Sequence, residues 1–181
     1  MGEPVPTERP RALRYDWPWW APILQAVALS LFHGALPFAL SRLSVRHGWS
    51  AGHPAIWNWL GLLLVAAGIG MIIWTIALHR EGAMSRGWRF EKTPFEPARY
   101  LIVRGPYRYS RNPIYLSHLA IWMGWALFYG SVVVLANFFV LWMVLVFLIV
   151  PYEERGLART QGEPYAHYRN EVGRWFGRAS R

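Results

Sequence analysis

The sequence contains no cysteine, which excludes disulfides, thiolate metal sites and a thiol nucleophile. Four long stretches lack something else. About Trp19 to Leu40, Trp57 to Leu78, Pro113 to Tyr129 and Val132 to Val150 hold no Asp, Glu, Lys or Arg. Apolar residues therefore come in blocks instead of recurring at helical or strand period, and the blocks approach the roughly 17–25 residues that cross a bilayer core. Backbone groups in lipid must find partners within their own segment, so the predicted state of each block is helix. The expected fold class is all-α. It is a single-domain polytopic membrane bundle of about four transmembrane helices, with amphipathic helices in a cytoplasmic C-terminal tail.

Acidic residues are scarce, 10 against 19 Lys and Arg, for a net charge of +9. With four spans, only Arg42 and Arg46 fall on one side of the membrane, and every other cation and all ten acids fall on the other. The positive-inside rule places that crowded side, with both termini, in the cytoplasm. The expected location is a bacterial inner membrane, with the first span a retained anchor. Attraction to anionic headgroups accounts for the positive charge, and no nucleic-acid motif accompanies it. Among the twelve tryptophans, Trp17, Trp19, Trp20, Trp49, Trp57 and Trp59 fall at span ends and fit interfacial belts. Trp74, Trp122, Trp125 and Trp142 lie deeper and are expected to pack helix on helix. His33, His79 and His167 are scattered, so no metal site is expected.

Residues 1–16 form a proline-bearing flexible tail, and Gly34 with Pro37 predicts a kink in span one. Gly48, Gly52 and Pro54 mark a short outer turn. Gly61, Ala66, Ala67, Gly68 and Gly70 give span two a small-residue face for close helix packing. Gly68-Ile69-Gly70 is no dinucleotide fingerprint, since no strand precedes it. The cytoplasmic loop 79–112 is long, basic and aromatic. Residues 113–151 form a helical hairpin about Gly130-Ser131, with Pro113 opening its first helix and Asn112 placed as the cap. Gly162 and Pro164 divide the tail 152–181 into two helices. The second of these has Tyr165, Tyr168 and Val172 on one face, fit to lie on headgroups or to cover a site. A tight hairpin returns the chain to the face it left, so Arg111-Asn112 and Glu153-Glu154 should meet on one membrane surface.

Arg111-Asn112-Pro113-Ile114-Tyr115, the uncharged hairpin, and then Glu153-Glu154 stand in a specific order. With Leu101 to Tyr109 before them and G-E-P-Y-A-H-Y-R-N-E-V after them, these residues resemble the integral-membrane methyltransferase family. That family includes isoprenylcysteine carboxyl methyltransferases and phospholipid N-methyltransferases. The similarity covers roughly residues 75–176. It implies S-adenosylmethionine (S-adenosyl-L-methionine) bound at the cytoplasmic end of the hairpin. Tyr107, Asn112, Pro113, Tyr115 and Glu153 match cofactor-contacting positions, and Arg99, Tyr100, Leu101 and Ile102 would run alongside as backbone. Arg108 or Arg111 can take the cofactor carboxylate bidentately, tyrosine rings can face its sulfonium, and Glu153 can pair with a cationic group. Arg111 and Glu154 are the candidates for catalysis, with Glu154 or His118 as base for an amine or hydroxyl acceptor; a carboxylate acceptor needs none. Where the family usually has histidine this chain has Asn112, and where many relatives have glycine it has Ser117. Phe147-Leu148-Ile149-Val150 stands where isoprenylcysteine enzymes carry a substrate-positioning arginine.

The function implied is methyl transfer to a lipid-like or apolar small molecule at the cytoplasmic face, with the acceptor and the oligomeric state left open. Two alternatives stand beside it. One is an NADPH-dependent membrane reductase, which ordinarily has more spans. The other is a non-enzymatic membrane scaffold, in which Arg111, Tyr115 and Glu153 matter only for anchoring.

Overall fold

The computed structural model describes residues 20–84 and 101–177. The tail 1–16 and residues 85–100 of the long loop, which include Arg99 and Tyr100, lie outside the described residues. The first span runs as α1 (Ala21–Ser30), one wide π turn (Leu31–Ala35) and α2 (Leu36–Ser41). Pro37 explains the wide turn. It has no N–H for the carbonyl of His33, and its ring crowds that carbonyl. The helix loosens there, the Leu36 N–H reaching back five residues to Leu31, a π turn in place of an α turn. The released His33 carbonyl accepts the Trp125 indole N–H. The His33 imidazole donates from Nδ1 to the Leu29 carbonyl and meets His118 Nδ1 through Nε2, at 2.7 Å. His118 is thus the helix-to-helix hydrogen bonder that ties span one to the hairpin.

Outside span one the chain forms a two-residue antiparallel hairpin, β1 (Trp49–Ser50) with β2 (His53–Pro54), more regular than the plain turn expected. Asn58, fully buried, donates to the carbonyls of His47, Leu127 and Phe128 at 3.2, 2.9 and 3.0 Å. Two of these lie in the last turn of a helix, where carbonyls lack an i+4 partner, so one amide ties the loop to that helix end alongside the Gly130 N–H and the Trp49 indole. The Arg46 guanidinium lies 5.1 Å from the rings of Trp49 and of Tyr129, closing this end of the bundle.

A short 3₁₀ turn (Ile56–Trp59) leads into α3 (Leu60–Met84), which lies against α4 (Pro113–Tyr129). The contact is backbone on backbone. A Cβ on Gly61 would strike the Gly124 carbonyl, and one on Gly68 would sit 2.8 Å from the Ser117 carbonyl. Gly70 meets nothing and faces away. Gly130, at φ +58°, and Ser131, whose hydroxyl accepts from the Val134 N–H, make the reversal into α5 (Val132–Val144). A second π turn (Leu145–Ile149) precedes Pro151 and joins α5 to α6 (Val150–Gln161) without a break. The boundary expected at 151 is therefore interior to one long helical segment. Gly162, at φ +56°, turns the chain into α7 (Glu163–Glu171).

Three helical segments, Ile23–Ser41, Ile56–Glu81 and Val132–Gln161, are long and apolar enough to cross a membrane. The fourth apolar block, α4, is a 17-residue helix of about 25 Å, with Leu119, Ile121, Trp122 and Ala126 buried among its neighbours. Leu63, Ile73, Val140 and Leu148 face outward and are exposed, as lipid-facing side chains are. Trp122 and Trp125 join the interior as expected. Trp74 and Trp142 instead remain 49% and 41% exposed on the outside of the bundle.

Candidate functional site

Three pieces of chain converge at the end of the bundle opposite the β-hairpin. The first is the 3₁₀ turn Gly105–Arg108, seated on the end of α3 because Gly105 takes φ +61° and a Cβ there would meet Leu78 at 2.7 Å. The second is the head of α4, and the third is the first turn of α6. Leu101, Ile102, Tyr107, Arg111, Asn112, Pro113, Tyr115, Glu153 and Glu154 all line one cleft there. Its cavity volume is about 100 Å³ and it is partly open to solvent, so a ligand of ordinary cofactor size, needing roughly 300 Å³ or more, would project beyond it. Arg108 is exposed and does not line the cleft. Arg99 and Tyr100 fall outside the described residues.

Charge in the cleft is organised around Glu154. Arg111 Nη1 reaches Glu154 Oε1 at 3.0 Å, with the two side chains 10% and 13% exposed. Arg174 grips the same carboxylate in a bidentate fork, Nε to Oε1 at 3.2 Å and Nη2 to Oε2 at 2.6 Å. That hydrogen bonding raises the Arg174 guanidinium further above its ordinary range. Arg111 Nη1 also donates to the Tyr165 hydroxyl, while its Nε–H is buried without a partner among the described residues. Glu153 stands beside the Tyr115 ring in the same cleft.

Asn112 occupies the position that begins α4, and its carbonyl accepts the Leu116 N–H. Its side chain does not cap the helix as expected. Asn112 Nδ2 donates to the Arg174 carbonyl at 3.0 Å, because the chain after α7 folds back across this point. Arg111 N–H donates to Gly173 and Gly177 N–H to Tyr109, so residues 173–177 lie along 109–112 like a strap. Tyr168 anchors the strap from below, donating to the Tyr107 carbonyl at 2.7 Å. Tyr165, Tyr168 and Val172 are buried against Leu101, Tyr107 and Leu157. Burial raises the pKa of both tyrosines above the ordinary 10.0, which holds the phenols neutral.

Sequence reasoning missed His79, Ile114, Leu157, Tyr165 and Tyr168 as lining residues, and Arg174 as the second cation on Glu154. The tyrosines carried a signal in their shared helix face. His79 and Arg174 carried none, since only the fold brings them to the cleft.

The donor set suits a zwitterionic, ring-bearing ligand. It offers a buried guanidinium edge with an unused N–H, two carboxylates, four tyrosine rings and an apolar wall. Residues 56–163 match the family model described as phospholipid methyltransferase. Comparisons with curated proteins and with solved structures returned no match.

Proposed function

The chain belongs to the phospholipid methyltransferase family, and from that premise we propose that it transfers a methyl group from S-adenosylmethionine to a lipid-like acceptor at the cytoplasmic face of the membrane. The observation that carries the reading is the cleft itself. It joins the asparagine-proline-tyrosine head of α4 to the paired acids of α6, more than thirty residues away in sequence. When bound, S-adenosylmethionine supplies an electrophilic methyl carbon on a sulfonium. The buried Arg111 Nε–H would take its carboxylate. Glu153 and the rings of Tyr107 and Tyr115 would face its cationic groups. Leu101, Ile102 and Leu157 would wall its apolar surface, and an exposed apolar exterior lets an acceptor arrive from the bilayer.

Catalysis in such a site is largely positioning of nucleophile and methyl carbon in line, with water held out. Glu154, bound by two guanidiniums, holds the ends of α4 and α6 at fixed separation, and this supports a positioning part for Glu154 and Arg111. The expected result is binding of S-adenosylhomocysteine to the purified protein by calorimetry, with no binding of NADPH. Glu153→Gln and Asn112→Ala should each weaken that binding about 10-fold or more, the loss of one charge-assisted or buried hydrogen bond. NADPH binding would favour a reductase, and unchanged affinity in both variants would favour a scaffold.

A further inference from the structure

His79 stands at the cytoplasm-proposed end of α3 and lines the cleft, and its Nε2 lies 2.8 Å from the Tyr107 hydroxyl. The two rings meet edge to face at 5.8 Å. Tyr107 is held from two sides. Gly105 seats the turn that carries Tyr107 on the end of α3, and Tyr168 holds the Tyr107 carbonyl. Among the described residues lining the cleft His79 is the one imidazole. The other titratable groups there are placed differently: Glu154 is paired with Arg111 and Arg174, Tyr165 accepts from Arg111, and Glu153 of α6 stands beside Tyr115. On its own helix Arg80 and Glu81 follow, Glu81 paired with Arg104 at 3.0 Å. His118 is bound to His33 inside the bundle and does not line the cleft.

Resting on the methyl-transfer reading, we infer that His79, acting through Tyr107, is the proton acceptor for a protic nucleophile, an amine or hydroxyl headgroup. A carboxylate acceptor carries no proton to lose and would leave this pair without work. In the transfer, a lone pair on the acceptor atom forms the new bond to the methyl carbon as the carbon–sulfur bond breaks and its electrons go to sulfur. The acceptor's proton passes to the Tyr107 oxygen while the Tyr107 hydroxyl proton moves to His79 Nε2. The imidazolium then returns that proton to water at the membrane surface. An ammonium headgroup gives up its proton along the same route before it attacks. The tautomer this requires has Nε2 unprotonated and accepting from the tyrosine, with the ring proton on Nδ1.

The test uses full-length protein in phosphatidylethanolamine vesicles, with His79→Gln and Tyr107→Phe as variants. Three quantities are read: S-adenosylhomocysteine affinity, radiolabelled methyl incorporation against pH, and the ¹⁵N imidazole titration of His79. Wild-type incorporation should rise with pH and level off as one group loses its proton. His79→Gln should lose about 100-fold or more at neutral pH, the scale of a general base, and recover steadily as pH rises. Affinity for S-adenosylhomocysteine should change less than about 3-fold. Tyr107→Phe should displace the His79 titration. A His79→Gln enzyme with wild-type rate and pH profile would overturn the proposal. So would loss of S-adenosylhomocysteine binding in parallel with rate, which would make His79 a ligand contact. A His79 titration unmoved by Tyr107→Phe overturns it even without turnover. Failure of the wild-type protein to bind S-adenosylhomocysteine removes instead the methyl-transfer reading beneath it.

Discussion

At the scale of single residues, the cleft is built around one carboxylate with two unequal partners. Arg111 is as buried as Glu154, whereas Arg174 is 41% exposed. Burial decides what each contact is worth. A screened surface pair contributes under about 1 kcal/mol, while taking one partner from a desolvated pair costs about 3–5 kcal/mol because a charge is left uncompensated. Arg174 remains to cover part of that loss, so Arg111→Met should cost about 2–3 kcal/mol and Arg174→Met less than about 1 kcal/mol. Thermal melts of the two variants in one detergent check the order, and equal shifts would contradict it. Arg111 also shows why a motif is easier to find than its geometry. The five-residue sequence marks it as important, but only the return of residues 173–177 reveals that Asn112 holds the strap and does not cap the helix.

At the scale of elements, α3 and α4 touch through glycine. Gly61 and Gly124 face each other so closely that each would drive a Cβ into the other's carbonyl, and Gly68 lies over Ser117 in the same way. Gly61→Ala or Gly68→Ala must push the helices apart, at the roughly 1–3 kcal/mol typical of overpacking. Gly70→Ala meets nothing within 4 Å and gains up to about 1 kcal/mol of helix propensity. Thermal unfolding should therefore move in opposite directions for Gly68→Ala and Gly70→Ala, two residues apart. The apolar blocks and their turns at Gly130 and Gly162 were legible, because each is a local consequence of chain chemistry. Of the expected small-residue face of α3, only Gly61 and Gly68 meet α4, while Ala66, Ala67 and Gly70 are exposed. The wide turns before Pro37 and Pro151 were legible only as a kink in the first case and as a boundary in the second. A proline removes one hydrogen bond, and whether the helix stops or widens depends on what picks up the freed carbonyl. For His33 that partner is Trp125, almost a hundred residues away. His79 and Arg174 were illegible for the same reason, since their meaning lies in long-range placement.

At the scale of the whole molecule, the two ends of the bundle are held by different chemistry. The β-hairpin end is closed by the Asn58 amide and by the Arg46 guanidinium over the ring faces of Trp49 and Tyr129, contacts that use no phenol hydroxyl. The cleft end depends on neutral phenols, with Tyr165 and Tyr168 buried and Tyr168 donating its hydroxyl proton to the Tyr107 carbonyl. Burial raises both phenol pKa values in the folded state above the 10.0 of a free tyrosine. Below pH 10 both groups are protonated whether this end is docked or released, so they give no pH dependence. Above it the released state binds fewer protons than the docked one, and stability must fall as pH rises. The expected outcome is a sequential opening. Between about pH 10 and 11, the range just above the free phenol value, amides in residues 105–112 and in α7 with its strap should lose hydrogen-exchange protection. The α3–α4 amides should keep theirs, because local opening draws on the least stable unit first. Tyr168→Phe removes one of the two titrating groups together with its hydrogen bond, so it should weaken docking at pH 8 and reduce the alkaline loss. Simultaneous exposure of both ends, or an alkaline loss unchanged in Tyr168→Phe, would show that the phenols do not hold the cleft together.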